Sequence, residues 1–168
     1  MHQLIIDGYN VIRQTAPYFA LSERGDLDQA RDVLIGDVAA LVTKEVRVTV
    51  VFDGANNPTS TGEPTSQIGV TVIYSAAGRS ADSVIEKLSH EARGRGDTVE
   101  VITSDATIQW TVMSGSVMRK SSREFGEEMK EDFRTWQSEN RHHQMRSSLD
   151  DRLSPEARAA LERLSKGS

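Results

Sequence analysis

The chain contains no cysteine, only four prolines and 5% aromatic residues in a length of 168. The absence of cysteine excludes disulfide bonds, thiolate nucleophiles and zinc–thiolate sites. No apolar run approaches the roughly 20 residues that cross a bilayer, and no signal peptide precedes the first predicted strand. We therefore expect a cytoplasmic protein that does not act at a membrane.

Three common functional motifs are also missing. No GxGxxG sequence follows the first predicted strand, which disfavours a dinucleotide-binding fold, and no P-loop is found. No GxSxG serine elbow is present either. Hydrophobic residues make up 37% of the chain, which suffices for a core. The length predicts one main domain at residues 1–140, followed by a linker and helical tail at 141–168.

Hydrophobic patterning alternates between strands and helices along the chain. We predict strands at residues 3–6, 46–52, 70–74, 98–103 and 117–118. Helices are predicted at 27–44, 81–93, 106–113 and 122–141, with a short final helix beginning at 154. Residues 8–10 read as a tight turn, and residues 14–26 and 54–69 as loops. This order predicts an α/β fold with a mostly parallel five-stranded sheet between helices and further helices at the C-terminus.

Four aspartates stand out in this pattern. Asp7, Asp53 and Asp105 each come where a hydrophobic strand ends, and Asp82 lies in the first turn of a predicted helix. In an open parallel sheet, ligands bind outside the carboxyl ends of the strands, so these acids should meet at one rim. A cluster of carboxylates is typical of a divalent-metal site. The pattern therefore predicts metal-dependent phosphoester chemistry.

Each candidate also has a purely structural interpretation. A strand-end aspartate often caps the turn that follows it, and the helix dipole would stabilise Asp82 by about 0.3–1 kcal/mol. Glu86 lies one helical turn after Asp82 and either reaches the metal or is solvated. Asn10 either caps a short helix or orients a phosphate or water. Ser104 adds a hydroxyl directly before Asp105.

Basic residues follow the predicted fifth strand, although the formal net charge is −5. Arg119, Lys120 and Arg123 form a group there, and Lys130 and Arg134 extend it along the next helix. Cations beside an acidic metal site would hold phosphates of a nucleic acid. The alternative is a solvated helix start for Arg119, Lys120 and Arg123. For Lys130 and Arg134 it is pairing with acidic residues of the same helix.

Six short segments, in this order, resemble the YacP-like family within the NYN branch of PIN-like nucleases. They are LIIDGYNVI (4–12), ARDVLI (30–35), VVFD (50–53), SADSVIEK (80–87), TSDATIQW (103–110) and MRKSSREF (118–125). The resemblance covers about residues 3–135. It implies a three-layer α/β/α PIN-like fold and an endoribonuclease that depends on Mg²⁺ or Mn²⁺.

The resemblance also implies roles for individual residues. Asp7, Asp82 and Asp105 would be the catalytic and metal-binding acids, with Asp53 and Asn10 at the edge. A member of the family cuts messenger RNA on translating ribosomes, so RNA and the ribosome are the implied partners. Attack by water, not by a ribose hydroxyl, would leave a 5′-phosphate and a 3′-OH.

Two other classes of function stay open on the sequence. A phospho-aspartate receiver domain also has strand-end aspartates, with Asp53 as acceptor and Lys120 after the last strand. Such a domain needs an acidic pair at its first strand, where only Asp7 is present. The second alternative is a non-catalytic RNA- or ribosome-binding module, and the full set of acids argues against it.

Overall fold

The computed structural model describes residues 1–54, 59–105, 117–132 and 134–135. The chain divides into two compact units, Met1–Met129 and Lys130–Ser168. The predicted helix at 106–113, the predicted domain boundary after 140 and the predicted final helix lie outside the described residues.

The described residues contain six strands and four bounded helices. The strands are β1 (His2–Asp7), β2 (Val46–Phe52), β3 (Pro64–Gln67), β4 (Val70–Tyr74), β5 (Thr98–Ile102) and β6 (Val117–Lys120). The helices are α1 (Gly8–Gln14), α2 (Tyr18–Glu23), α3 (Leu27–Ala39) and α4 (Ala81–Gly94). Residues 122–129 form a further helix, α5, and residues 130–132 of the second unit are also helical.

The strands form one sheet in the order β3-β4-β2-β1-β5-β6. All neighbours are parallel except β3, which runs antiparallel to β4 at one edge. From β1 the chain builds outward through β2 and β4, then returns to add β5 on the other side of β1. This reversal creates a crevice between the carboxyl ends of β1 and β5, which is where open α/β sheets bind ligands.

Alternating residues of the central strands build two hydrophobic layers. Leu4 and Ile6 of β1 pack on the face covered by α1, α2, α3 and Phe125 of α5. Ile5, between them, packs on the opposite face against α4. Burial on both faces explains the apolar runs Leu4–Ile6 in β1 and Val50–Phe52 in β2. The three-layer α/β/α prediction is confirmed.

Two predicted bounds match the structure, and several others are corrected. The strands predicted at 46–52 and 70–74 are found with those bounds. The sheet has six strands where five were predicted, because residues 64–67 of the predicted loop form β3. All four β3 residues are exposed, so this strand carries no hydrophobic signal. Ile68 and Gly69, both with positive φ, make the tight turn into β4.

The helices on the first face also differ from prediction. Residues 8–10, predicted as a turn, begin α1, and residues 18–23 of the next predicted loop form α2. The helix predicted at 27–44 ends at Ala39. The Thr43 hydroxyl accepts the backbone N–H groups of Glu45 and Val46, at 3.2 and 3.0 Å, and so competes with further helical turns. No helix among the described residues is long and apolar enough to cross a membrane.

Candidate functional site

Asp7 lies at the carboxyl end of β1, where the sheet order reverses. Its carboxylate accepts the backbone N–H of Asn10 at 3.1 Å and so caps α1, as the structural interpretation of a strand-end aspartate predicts. It is also only 7% exposed. Burial raises the pKa of Asp7 above its ordinary value of 3.8, and the charge of Asp82 raises it further, against the lowering effect of the Asn10 hydrogen bond.

The close approach of α1 to the end of β2 sets the position of Asp7. A Cβ atom on Gly8 would lie 2.3 Å from the ring of Phe52, at the end of β2. Only glycine therefore lets the start of α1 pack against this ring. The residue after Asp7 is thus constrained by packing, and the constraint fixes where β1 ends and α1 begins.

Thr103 connects Asp7 to the end of β5. Its hydroxyl donates to the second carboxylate oxygen of Asp7 at 3.3 Å and accepts the backbone N–H of Asp105 at 3.1 Å. Thr103 is fully buried. Sequence reasoning missed this residue, although its hydroxyl between a hydrophobic strand and Asp105 was a usable signal. The contact brings the ends of two neighbouring strands together, as predicted for Asp7 and Asp105.

Asp82 lies in the first turn of α4, after the N-cap Ser80. A carboxylate held only by the helix dipole would have a lowered pKa. The pKa of Asp82 is raised instead, mainly by desolvation and then by the charges of Asp105 and Asp53. The acids from β1, β2, β5 and α4 thus lie near enough to repel one another. A helix-dipole role alone does not account for Asp82.

The other two predicted acids differ in their surroundings. Asp53 follows β2 and is exposed, at the edge of the acidic group. Glu86 lies one turn along α4 from Asp82 and is also exposed. Because of this exposure, the solvated alternative fits Glu86 better than a place beside the metal.

Asn10 lies in the first turn of α1 and joins three segments. Its Oδ1 atom accepts the backbone N–H of Ser104 at 2.9 Å and the hydroxyl of Ser122 at 2.6 Å. Ser122 in turn donates its own N–H to the Ser104 hydroxyl at 3.1 Å. The predicted supporting residues Asn10 and Ser104 are therefore in contact, and Ser122 is a third member that sequence reasoning missed.

The predicted basic group is mostly bound to protein acids. The Lys120 ammonium lies 2.6 Å from Glu128 and 3.1 Å from Glu100. Partial burial lowers the pKa of Lys120, but the hydrogen bonds to these two carboxylates raise it by more. Arg123 is exposed and pairs with Glu127 at 3.3 Å. Both residues are therefore paired with carboxylates of the protein.

The remaining predicted cations are exposed. The Arg119 Nε donates to the backbone carbonyl of Thr103 at 3.3 Å, which places this arginine beside the end of β5. Lys130 and Arg134 belong to the second unit, where both are exposed.

Arg13 is a cation that sequence reasoning did not select. It lies on α1, is exposed, and donates its Nε to the backbone carbonyl of Tyr9 at 3.1 Å. Its charge lowers the pKa of Asp7, and it forms no ion pair with a described residue. Unlike Lys120, it therefore brings positive charge to the acidic group.

The acids fit a divalent cation by their chemistry. Carboxylate oxygens are the ligands that Mg²⁺ and Mn²⁺ prefer. Burial and, to a lesser extent, repulsion between the acids raise the pKa of Asp7 and Asp82, and a cation would relieve that repulsion. Among the described residues, however, no three acidic or histidine side chains converge closely enough to form a ready-made metal site. Any cation therefore has to draw these carboxylates together or bind partly through water.

Comparison with known proteins shows the family of the chain. The family model described as the YacP-like NYN domain matches residues 4–166. YacP from Bacillus subtilis (strain 168) is 34% identical over 125 residues, which cover 74% of this chain and 72% of the relative. The crystal structure of a single-residue mutant of Rae1 (YacP) from Bacillus subtilis has a TM-score of 0.71 at 31% identity, covering 90% of this chain and 89% of that one.

A second crystal structure of Rae1 (YacP) from the same organism has a TM-score of 0.67 at 29% identity, covering 99% of this chain and 96% of that one. NYN and PIN-like domains are generally nucleases, and this relationship supports a nuclease-like role in RNA processing. Family model, sequence relative and solved structures thus agree: the chain belongs to the YacP-like NYN domain family.

Proposed function

We propose that this protein is a metal-dependent endoribonuclease that hydrolyses RNA phosphodiesters to 5′-phosphate and 3′-OH ends. The observation that carries the proposal is the group of mutually repelling carboxylates at the carboxyl end of the sheet. Asp7 and Asp82 both have raised pKa values there, each in part because of another acid of the group. Acids whose pKa values are perturbed by burial and by like charge are typical of functional sites.

Asp7, Asp82 and Asp105 would hold one or two Mg²⁺ or Mn²⁺ ions. A bound divalent cation would lower the pKa of a water molecule and neutralise charge on the phosphate oxygens. Asp53, exposed at the edge, or Asp105 would accept the proton that the attacking water loses. Thr103 keeps the Asp7 carboxylate in one orientation through its hydroxyl.

The substrate strand needs positive charge beside these acids. Arg13 and Arg119 meet this need, because neither forms an ion pair with a described residue and both bind a neutral backbone carbonyl. Lys120 and Arg123 contribute less, since acidic side chains already neutralise them. Lys130 and Arg134 of the second unit stay predicted substrate-binding residues.

Messenger RNA at the ribosome is the proposed substrate, in a cytoplasmic setting. Membership of the YacP-like family supports it. Mapping of cut sites in messenger RNA, with and without translating ribosomes, tests this part of the proposal. Cuts that appear equally in both conditions would contradict a need for the ribosome.

The ends of the products test the reaction itself. A short RNA is incubated with the protein and Mn²⁺ or Mg²⁺, and the masses of both cleavage products are measured, which identifies the groups at their new ends. We expect a 5′-phosphate and a 3′-OH, with no cleavage after chelation of the metal. A 2′,3′-cyclic phosphate would show that a ribose hydroxyl attacks and would refute the mechanism.

A further inference from the structure

We propose that Asn10 serves as a fixed hydrogen-bond donor to a phosphate oxygen of the RNA, and that Ser122 is the positioning residue that fixes it. The inference rests on the proposed function, because it assigns a substrate contact within the same site. The inference assigns a role to Ser122, which lies beyond the end of β6. It also assigns the NH₂ group of Asn10, not the amide oxygen, to the substrate.

The orientation of the Asn10 amide follows from its neighbours. A backbone N–H can only donate, so the Asn10 atom that lies 2.9 Å from the Ser104 nitrogen must be the oxygen. The Ser122 hydroxyl lies 2.6 Å from the same oxygen and donates to it. The two lone pairs of Oδ1 are therefore both occupied.

Ser122 is itself held in place. It is fully buried, its N–H donates to the Ser104 hydroxyl at 3.1 Å, and its carbonyl accepts the Thr15 hydroxyl at 3.2 Å. A Cβ on the nearby Gly126 would lie 2.3 Å from the Thr15 side chain, so α5 packs directly against Thr15. Ser122 thus approaches Asn10 from a fixed direction.

Two consequences follow for Asn10. Its oxygen has no lone pair left for a metal ion, so Asn10 is not a metal ligand in this arrangement. With Oδ1 assigned to Ser104 and Ser122, the other end of the amide is the NH₂ group, which donates to no described residue. A donor held in advance, one turn from Asp7, fits an anionic oxygen, and phosphodiesters supply one beside a metal site.

The first test changes the donor and keeps the network. Asn10→Asp preserves an oxygen for Ser104 and Ser122 but replaces the NH₂ group with a second carboxylate oxygen. We expect binding of a short single-stranded RNA, measured in a chelator by fluorescence anisotropy, to weaken by roughly 10-fold or more. Unchanged RNA affinity in this variant would overturn the proposal.

The second test asks whether Ser122 acts through Asn10. Ser122→Ala is expected to raise KM for RNA cleavage by about 10-fold, in the range of other outer-shell substitutions. The matched control is Ser121→Ala, because Ser121 bonds to Glu124 and caps α5 without touching Asn10. In an Asn10→Ala background, Ser122→Ala should have no further effect on KM. Additive effects, or an equal effect of the control, would show that Ser122 has only a structural role.

The outcomes separate this inference from the proposed function. If the wild-type protein cleaves RNA and both variants match the control, the nuclease proposal stands and the inference fails. If the wild-type protein binds RNA in an Asn10-dependent manner but cleaves none, the inference stands and the nuclease proposal fails. A wild-type protein that neither cleaves nor binds RNA would refute both.

Discussion

The two ends of the sheet shift the pKa values of their acids in opposite directions. At the amino end, Asp97 accepts a hydrogen bond from Gln3 at 2.9 Å and lies 3.3 Å from Arg95 and 3.6 Å from the N-terminal ammonium. Desolvation raises the pKa of Asp97, but these partners lower it by more. At the carboxyl end, the pKa values of Asp7 and Asp82 are raised, and other acids contribute to the increase.

This difference separates acids that stabilise the fold from acids that are available for chemistry. The folded state favours the charged form of Asp97, which therefore stabilises the protein at neutral pH. It disfavours the charged forms of Asp7 and Asp82, which cost stability at the same pH. A protein keeps such a cost where a ligand relieves it, which is the behaviour expected of a cation site.

The largest expected difference between the two ends is in activity. Asp7→Asn should reduce RNA cleavage by about 10,000-fold, in the range seen when a central catalytic acid is removed. Asp97→Asn should leave cleavage nearly unchanged, because Asp97 lies at the opposite end of β1. Initial rates with a fluorogenic RNA at saturating Mn²⁺ measure both. Near-wild-type cleavage by Asp7→Asn would show that the acidic group is not the active site.

The next largest effect is stabilisation by the metal ion. A cation that binds only the folded state adds about 2.7 kcal/mol at a hundredfold excess over Kd, or roughly 5–10 °C in Tm. We expect Mn²⁺ to raise the Tm of the wild type and of Asp97→Asn by equal amounts. Asp82→Asn should lose most of this shift. A full shift in Asp82→Asn would remove Asp82 from the list of ligands.

Without metal, the two ends should respond to neutralisation with opposite signs. Asp7→Asn removes a buried charge that repels Asp82, so we expect its Tm at neutral pH to rise. Asp97→Asn loses favourable hydrogen bonds and charge pairs, so its Tm should fall slightly. Calorimetry in a chelator measures both changes. The same sign for both variants would contradict the comparison of the two ends.

The smallest expected effect is on the pH dependence of stability. Asp7 and Asp82 have folded pKa values above the ordinary 3.8, so the folded state releases their protons later than the unfolded state as pH rises. As pH rises from the ordinary pKa to the raised pKa values of the folded state, these two acids therefore lower the stability of the protein. Asp97 has the opposite effect, because its charged form stabilises the folded state. This stabilisation is lost as pH falls through the lowered pKa of Asp97. Denaturant titrations of metal-free protein at several pH values should show a smaller decrease toward neutral pH for Asp82→Asn than for wild type.

Hydrophobic patterning predicted the centre of the sheet better than its edges. The bounds of β2 and β4 were predicted correctly because both strands are largely buried and therefore apolar. β3 is exposed along its whole length, so no periodic pattern marks it. α1 was predicted as a turn although its cap from Asp7 is only three residues away. The packing of Gly8 on Phe52, by contrast, is a long-range feature that exists only in the folded chain.

The candidate site shows the same division. The sequence placed Asp7 and Asp105 at strand ends, and the topology brings those strands side by side. The pairing of Lys120 with Glu100 and Glu128 joins residues 20 and eight positions apart, which no local pattern predicts. Ser122 was missed for the same reason, since its partner Asn10 becomes a neighbour only after the chain has folded.

The sequence by itself determined the class of fold, the acids at the strand ends and the family, because alternation of apolar residues and short motifs are local properties. Only the tertiary structure decided which charges cancel and which remain. Burial and the approach of acids from four separate elements raise the pKa values of Asp7 and Asp82, and burial and distance between such elements exist only in the folded chain. The same holds for the Asn10 amide, whose orientation is fixed by Ser104 and by Ser122, 112 positions away.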